Sequence, residues 1–254
     1  MELVLIGSGN IATVIGKAFF ERGIIIKQVY SRNLSHAQQL AAQIGSDAID
    51  QLRQLAPKAD AYILAVSDQA IGPIAASLKL GDQLLVHTAG SVSKEILANA
   101  SSNYGVFWPM KMIRKDQESL GAVQIVVDGS SNSNTAFLSN LARLIGAQVA
   151  LAGDAQREKL HLMAVVTSNF TNHLYHLASD YCERNNLDFS LLYSIIDQTA
   201  TGIKAVDPAT TQAGPAFRGD LGTMEKHLEL LKHEPALLAF YRAFSKSIQE
   251  KNRV

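Results

Sequence analysis

Cysteine is almost missing from this chain: Cys182 is the one thiol in 254 residues. That excludes an internal disulfide and a cysteine-rich zinc site, and suits a reducing compartment. An excess of either charge is missing too, since 23 Lys and Arg face 23 Asp and Glu. The balance holds locally, with 12 basic and 11 acidic residues up to position 153 and 11 and 12 after it. Such a chain presents no basic field, so neither nucleic acid nor an anionic membrane is an expected partner. Long apolar runs are also lacking. Leu3 to Ile6 meets a glycine after four residues, too short for a signal-peptide core. No stretch approaches the roughly 20 apolar residues of a membrane helix. The expectation is a cytoplasmic protein.

What is present is ample core material, 47% hydrophobic residues, enough to bury a core and too much for a disordered chain. On a norm of about 150 residues per domain, two domains are the better reading. Up to Gly153, short Val- and Ile-rich runs alternate with amphipathic or Ala-rich segments, the pattern of parallel strands joined by crossover helices. Expected strands are Leu3–Ile6, Ile25–Tyr30, Ala61–Val66, Gln83–Thr88, Gly105–Phe107, Ile125–Asp128 and Val149–Leu151; expected helices are Ile11–Arg22, Ser35–Gln43, Ile71–Leu78 and Asn134–Ile145. After Gly153 the period becomes helical. One uninterrupted helix is expected from Asp154 to about Arg184, then helices at Asp188–Thr199, Asp220–Lys232 and Pro235–Lys251. The reading is therefore an α/β domain over 1–153, a doubly wound and mostly parallel sheet, followed by an all-helical domain over 154–254.

Gly7-Ser8-Gly9-Asn10-Ile11-Ala12 is a G-x-G-x-x-A element between the first strand and the first helix, the context the Rossmann dinucleotide fingerprint requires. Gly7 permits the tight turn, Gly9 lets backbone approach a pyrophosphate, and the helix start supplies N–H groups and a favourable dipole. For NAD an acid is expected about 20 residues on, to hold the ribose 2′-hydroxyl. The second strand instead ends Val29-Tyr30-Ser31-Arg32-Asn33. Ser31 as donor and Arg32 as cation fit a 2′-phosphate, which favours NADP(H) over NAD; the plain alternative is Arg32 as a solvated loop residue. Two further strand ends, Val66-Ser67-Asp68 and His87-Thr88-Ala89-Gly90-Ser91, lie where an open α/β sheet receives its ligand. Val66, Ser67, Thr88 and Ala89 are assigned to the cofactor. Asp68 is read as a helix cap, and Ser91 as lining the site or capping a helix near Ser93.

Together these residues resemble a branch of NADP-dependent enzymes that includes pyrroline-5-carboxylate reductase, ketopantoate reductase, the β-hydroxyacid dehydrogenases and coenzyme F420-dependent NADP oxidoreductase. The runs His87–Ser91, Gly105–Met110, Ser168–Asn172 and Gly214–Asp220 more closely resemble a bacterial oxidoreductase family with a Rossmann-like first domain and a second domain of unknown function. The resemblance covers nearly the whole chain and implies the fold and the NADP cofactor. It also exposes a departure. In the β-hydroxyacid and ketopantoate enzymes the long helix opening the second domain carries a Lys and an Asn one turn apart, the Lys donating a proton to a carbonyl. Here Lys159 is followed four residues later by Met163, and Asn169 lies ten residues on, about 15 Å along a helix.

In the second half, helical spacing puts Asn169, Asn172 and His176 in line beside Val165, with a separate core-like stripe of Leu160, Met163, Ala164, Thr167, Phe170, Thr171, Leu174 and Ala178. Asn169 is the first choice to orient substrate or nicotinamide, with interhelical bonding as the alternative. Arg218 suits a substrate carboxylate, Asp220 an N-cap, and His227 acid/base chemistry or plain packing. His161, His173 and His176 lack metal-ligand spacing, so no metal is expected. Surplus apolar residues on the last helices predict a homodimer through them. The function expected is NADP(H)-dependent hydride transfer to or from a small carboxylate-bearing imine or carbonyl. An imine is attractive because a protonated one needs no Lys donor. The rival readings are an F420-dependent NADP reductase and a non-catalytic NADP-binding sensor or scaffold.

Overall fold

The computed structural model describes residues 1–251 apart from 115, 116 and 118. It divides into two compact units, Met1–Val166 and Thr167–Val254. The first contains β1 (Glu2–Ile6), α1 (Asn10–Glu21), β2 (Ile25–Tyr30), α2 (Leu34–Ile44), β3 (Asp47–Ile49), β4 (Ala61–Leu64), α3 (Asp68–Ser77), β5 (Leu85–His87), β6 (Tyr104–Met110), β7 (Gln124–Gly129), α4 (Asn132–Leu144), β8 (Gln148–Leu151) and α5 (Asp154–Ala164). The change from strand to helix thus falls at Gly153, while the compact units part after Val166, thirteen residues further along.

One eight-stranded sheet runs β3-β2-β1-β4-β5-β6-β7-β8. Every neighbouring pair is parallel except β6 and β7. The doubly wound, mostly parallel expectation holds, with two differences. β3 was not foreseen, because three residues with a charged first member carry too little pattern. The antiparallel β6–β7 pair means that β6 ends at Met110, and β7 begins at Gln124, on the side of the carboxyl ends of the parallel strands, the end at which such sheets bind ligands.

The continuous apolar runs are explained by burial on both faces. In β1, Leu3 and Leu5 join the cluster packed with Val14, Ile15 and Phe19 of α1, while Val4 and Ile6 join the opposite cluster with Ile71 and Ala75 of α3. A third cluster, Val106, Trp108, Val126 and Ala152, receives Leu160 of α5.

The second unit holds α6 (Thr171–Arg184), α7 (Tyr193–Gly202), α8 (Pro215–Arg218), α9 (Leu221–Leu230) and α10 (Pro235–Lys251). The expected uninterrupted helix is not uniform. Between α5 and α6, residues Val165–Phe170 form a π-helical stretch, whose i to i+5 bonding shifts the faces on either side. Val165 and Asn169 therefore do not stack as α-helical neighbours, and only Asn172 and His176 keep their i, i+4 relation within α6. The stripe read as core is not one: none of its eight residues is buried, and Met163 and Phe170 are 50% and 58% exposed. Among the described residues of this unit only Cys182, Ala216 and Ser245 are buried.

Candidate functional site

At the end of β1 the chain must turn under the end of β4. Gly7 does so at φ 130°, and a methyl group there would lie 2.2 Å from the Ala65 carbonyl oxygen, so no other residue fits. Gly9 is the N-cap of α1 and has no side-chain cap bond; a methyl group on it would meet nothing within 4 Å. The first-turn N–H groups of α1 are thus unshielded by any side chain, and no acidic residue occupies that turn. An uncapped helix start beside two glycines is a ready anion cradle.

That cradle opens into a cavity of about 460 Å³ lined by Gly7, Ser8, Gly9, Asn10, Ile11, Tyr30, Ser31, Arg32, Ala65, Val66, Ser67, Ala70, Ile74 and Ile113. Nine of the eleven residues assigned to the cofactor therefore line one space. Thr88 and Ala89 do not. Both are buried, the Thr88 hydroxyl donates to the Leu64 carbonyl at 3.3 Å, and Ala89 N–H donates to His87 Nδ1 at 3.2 Å. The Ser8 hydroxyl donates to Ser31 Oγ at 3.0 Å, joining the glycine turn to the end of β2. Arg32 is exposed, with no hydrogen bond or ion pair to the other described residues. No carboxylate lines the cavity among the described residues. The residues present fit a dinucleotide with a phosphorylated ribose: a cradle for its pyrophosphate, then a hydroxyl and a free guanidinium at the β2 end. Ile113 was not anticipated. Its carbonyl accepts from Asn10 Nδ2 at 3.3 Å, and only the β6–β7 reversal brings it there.

Asp68 and Ser91 need correction. Ser67, not Asp68, is the N-cap of α3, and Ser93 caps the short 3-10 helix Lys94–Leu97 by accepting from Glu95 N–H. Asp68 instead accepts the Ser91 hydroxyl at 2.5 Å, tying the ends of β4 and β5 together. The exposed carboxylate is more useful to that cross-loop bond than to its own helix.

Beside β5 lies a polar cluster that no periodicity singles out. Arg157 of α5 is 1% exposed. It donates to the Val92 carbonyl at 2.5 Å and to Asp154 Oδ1 at 2.6 Å, and its Nη1 stands 3.8 Å from Asp128 Oδ2. Lys94 Nζ donates to Asp128 Oδ1 at 2.8 Å, and the Ser93 hydroxyl donates to Asp154. Although burial opposes it, hydrogen bonds from Ser93 and Arg157 hold the Asp154 carboxyl below the usual range. His87, fully buried, is likewise held below the range of a solvated imidazole, which keeps it neutral where Asp154 is kept charged. Burial and then the Arg157 cation lower it to about 4.

In the second unit the three assigned side chains are not joined by any hydrogen bond or ring contact among the described residues. Asn169 sits in the π-helical stretch and is exposed; Arg218 ends α8 and is exposed. His227 of α9 is half-buried, its Nδ1 2.9 Å from the Tyr241 hydroxyl of α10 and its ring edge-on to the tyrosine. One of its nitrogens is thus engaged in holding two helices. Asp220 is the N-cap of α9, accepting from Thr223 N–H at 3.1 Å, and bonds from the Thr223 hydroxyl and N–H hold its carboxyl below the usual range. Among the described residues no group of three or more His, Cys, Asp or Glu is placed to hold a metal ion, and no helix is long and apolar enough to cross a membrane.

Residues 2–90 match the family described as NADP oxidoreductase coenzyme F420-dependent, and residues 123–248 match a domain of unknown function, DUF2520. No curated protein matches the chain. Among solved structures, the putative NADP oxidoreductase BF3122 from Bacteroides fragilis is 36% identical, with 98% of each chain covered and a TM-score of 0.90. The fold is shared with an imine reductase from Myxococcus stipitatus in complex with NADP+ (13% identity, 98% and 93% covered, TM-score 0.68). It is shared also with a 1-pyrroline-5-carboxylate reductase from Streptococcus pyogenes (15% identity, 100% and 99% covered, TM-score 0.65).

Proposed function

Since the chain belongs to the family of NADP oxidoreductases that join a first domain of the coenzyme F420-dependent type to a second domain of unknown function, we propose that it reduces a small carboxylate-bearing imine or carbonyl with NADPH, or oxidises the corresponding product. The observation that carries this reading is the cavity at the β1–α1 turn, with a glycine cradle at one end and Ser31 and Arg32 at the other. NADPH, when bound, supplies a hydride to the substrate. The chain's own residues do the rest. First-turn N–H groups of α1 hold the pyrophosphate, Arg32 pairs with the 2′-phosphate, and Ile113 covers the cavity. The absence of the Lys-Asn pair favours an imine over a carbonyl. The imine chemistry named for two proteins of the same fold agrees with that preference. We further propose that the protein acts as a homodimer through the helices of its second unit, whose exposed Leu191, Ile195 and Leu230 need a partner.

Affinity for NADPH and NADH, measured in the wild type and in Arg32→Asp, tests the cofactor reading. Loss of one charge-assisted contact of roughly 1.5–3 kcal/mol lowers NADPH affinity by about 10- to 100-fold and leaves NADH little changed. Tighter NADPH binding by the variant would sink the reading. A screen of NADPH oxidation tests the reaction, and turnover of keto acids with none of cyclic imines rejects the imine preference.

A further inference from the structure

Position 90 is glycine because two rings occupy the space beside it. A methyl group there would sit 2.7 Å from His161 Nδ1 and 2.7 Å from the Trp108 ring. Its backbone does not need positive φ, so close approach is what demands glycine. His161 and Trp108 meet edge to face, centroids 5.6 Å apart. The imidazole is delivered by a pinned turn, because Arg157 lies four residues earlier on the same face of α5 and is locked to Val92 and Asp154. The His161 ring is itself partly exposed, and no hydrogen bond to the other described residues engages either nitrogen.

Sheet order gives this contact its meaning. The ribose anchor stands at β2 and the glycine cradle at β1, so the far half of an extended dinucleotide runs past β4 toward β5. The end of β5 is the loop Thr88–Ser91, against which His161 lies. Among the described residues, the other ionisable groups near this loop are committed. His87 is sealed and lowered to about 4, Lys94 is paired with Asp128, and the Asp68 carboxylate is an acceptor for Ser91. An imidazole with both nitrogens free can donate a proton from one and accept a proton on the other.

We propose that His161 stands at the reacting end of bound NADP(H) and is the proton donor and acceptor of the reaction. This rests on the NADP-dependent imine or carbonyl reading above. In the reductive direction the substrate carbon gains a hydride from the reduced nicotinamide, and the C=N or C=O π electrons move to the heteroatom. The heteroatom of a carbonyl or of an unprotonated imine takes the His161 proton, leaving neutral imidazole, oxidised nicotinamide and an alcohol or amine.

The test uses the full chain with ¹³C-labelled histidine, the His161 ring signal being identified by its loss in His161→Gln. NADP+ is compared with 2′-phospho-ADP-ribose, which lacks the nicotinamide. The expected result is that both bind and only NADP+ moves the His161 signal. If both bind and neither moves it, or both move it equally, His161 does not meet the nicotinamide and the inference fails while the cofactor reading stands. If NADP+ does not bind, both fall. With whichever imine or carbonyl the wild type turns over, His161→Gln lowers kcat by roughly 10²- to 10⁴-fold with 2′-phospho-ADP-ribose affinity unchanged. An unchanged kcat rejects proton transfer by this residue, and a wild type that reduces no such substrate rejects the reaction and the role together.

Discussion

In the first unit Leu3, Leu5, Ile15, Ile63 and Phe107 are wholly inside, whereas in the second Leu191, Tyr193, Ile195, Leu221 and Leu230 each show 60% or more of their surface. A parallel sheet offers two faces and covers each with its own crossover helices, so every apolar strand residue finds a partner within the same chain. The helices of the second unit have apolar faces without that closure. The first unit thus closes its core within itself, and the exposed apolar faces of the second are the surface that the proposed homodimer would cover.

The sharpest way to break this contrast is Leu191→Asp with Ile195→Asp. Burying a Leu or Ile contributes about 1.5–3 kcal/mol, so the pair weakens self-association by about 3–6 kcal/mol, some 10²- to 10⁴-fold. Sedimentation velocity should show monomer where the wild type is dimer, with NADPH affinity held. A wild type that is already monomeric ends the comparison. Next in size is Arg157→Leu, which removes the cation that Asp128 and Asp154 face inside the first unit. Breaking a buried pair typically costs about 3–5 kcal/mol, and denaturant unfolding should register it at any protein concentration, unlike the first pair.

A pH effect sharpens the contrast further, because it arises from a buried histidine, which among the described residues only the first unit has. His87 is neutral when folded until about pH 4 but takes a proton near pH 6.5 when unfolded. Between those values the unfolded chain binds the extra proton, so stability falls as pH falls, by on the order of 3 kcal/mol over the whole window. Above it the group contributes no slope. His87→Asn, whose amide oxygen can still accept the Ala89 N–H, should flatten unfolding free energy across that window. An unaltered slope would show that another group is responsible.

How much of this was legible beforehand follows the same division. In the first half each strand is a run of Val, Ile and Leu bounded by turn residues, and Gly7, Gly9 and Arg32 carry local meanings that need no tertiary knowledge. Ile113 and Arg157 do not. Ile113 matters only because β7 turns back along β6, and a lone arginine in a charged stretch of α5 looks like any solvated residue until the sheet is beneath it. In the second half, periodicity located the helices but not their faces. The π-helical turn at Val165–Phe170 has no sequence signature and displaces the register on which Asn169, Asn172 and His176 were aligned.

The smallest effect completes the comparison by setting one arginine against another. Arg184 of α6 meets Glu234, just before α10, with two bonds, Nε to Oε1 at 3.1 Å and Nη2 to Oε2 at 2.7 Å. That geometry is better than any Arg157 makes with a carboxylate, since Arg157 has one bond of 2.6 Å and one contact of 3.8 Å. Yet the Arg184 side chain is 52% exposed and that of Arg157 is 1% exposed. Water and salt compete for the first and not for the second, so burial outweighs geometry. Arg184→Leu should cost only about 0.2–1 kcal/mol, and less still in high salt, measured by unfolding at fixed protein concentration. A loss as large as that of Arg157→Leu would mean that Arg184 is buried in the working assembly, which would place the dimer contact across α6 and α10.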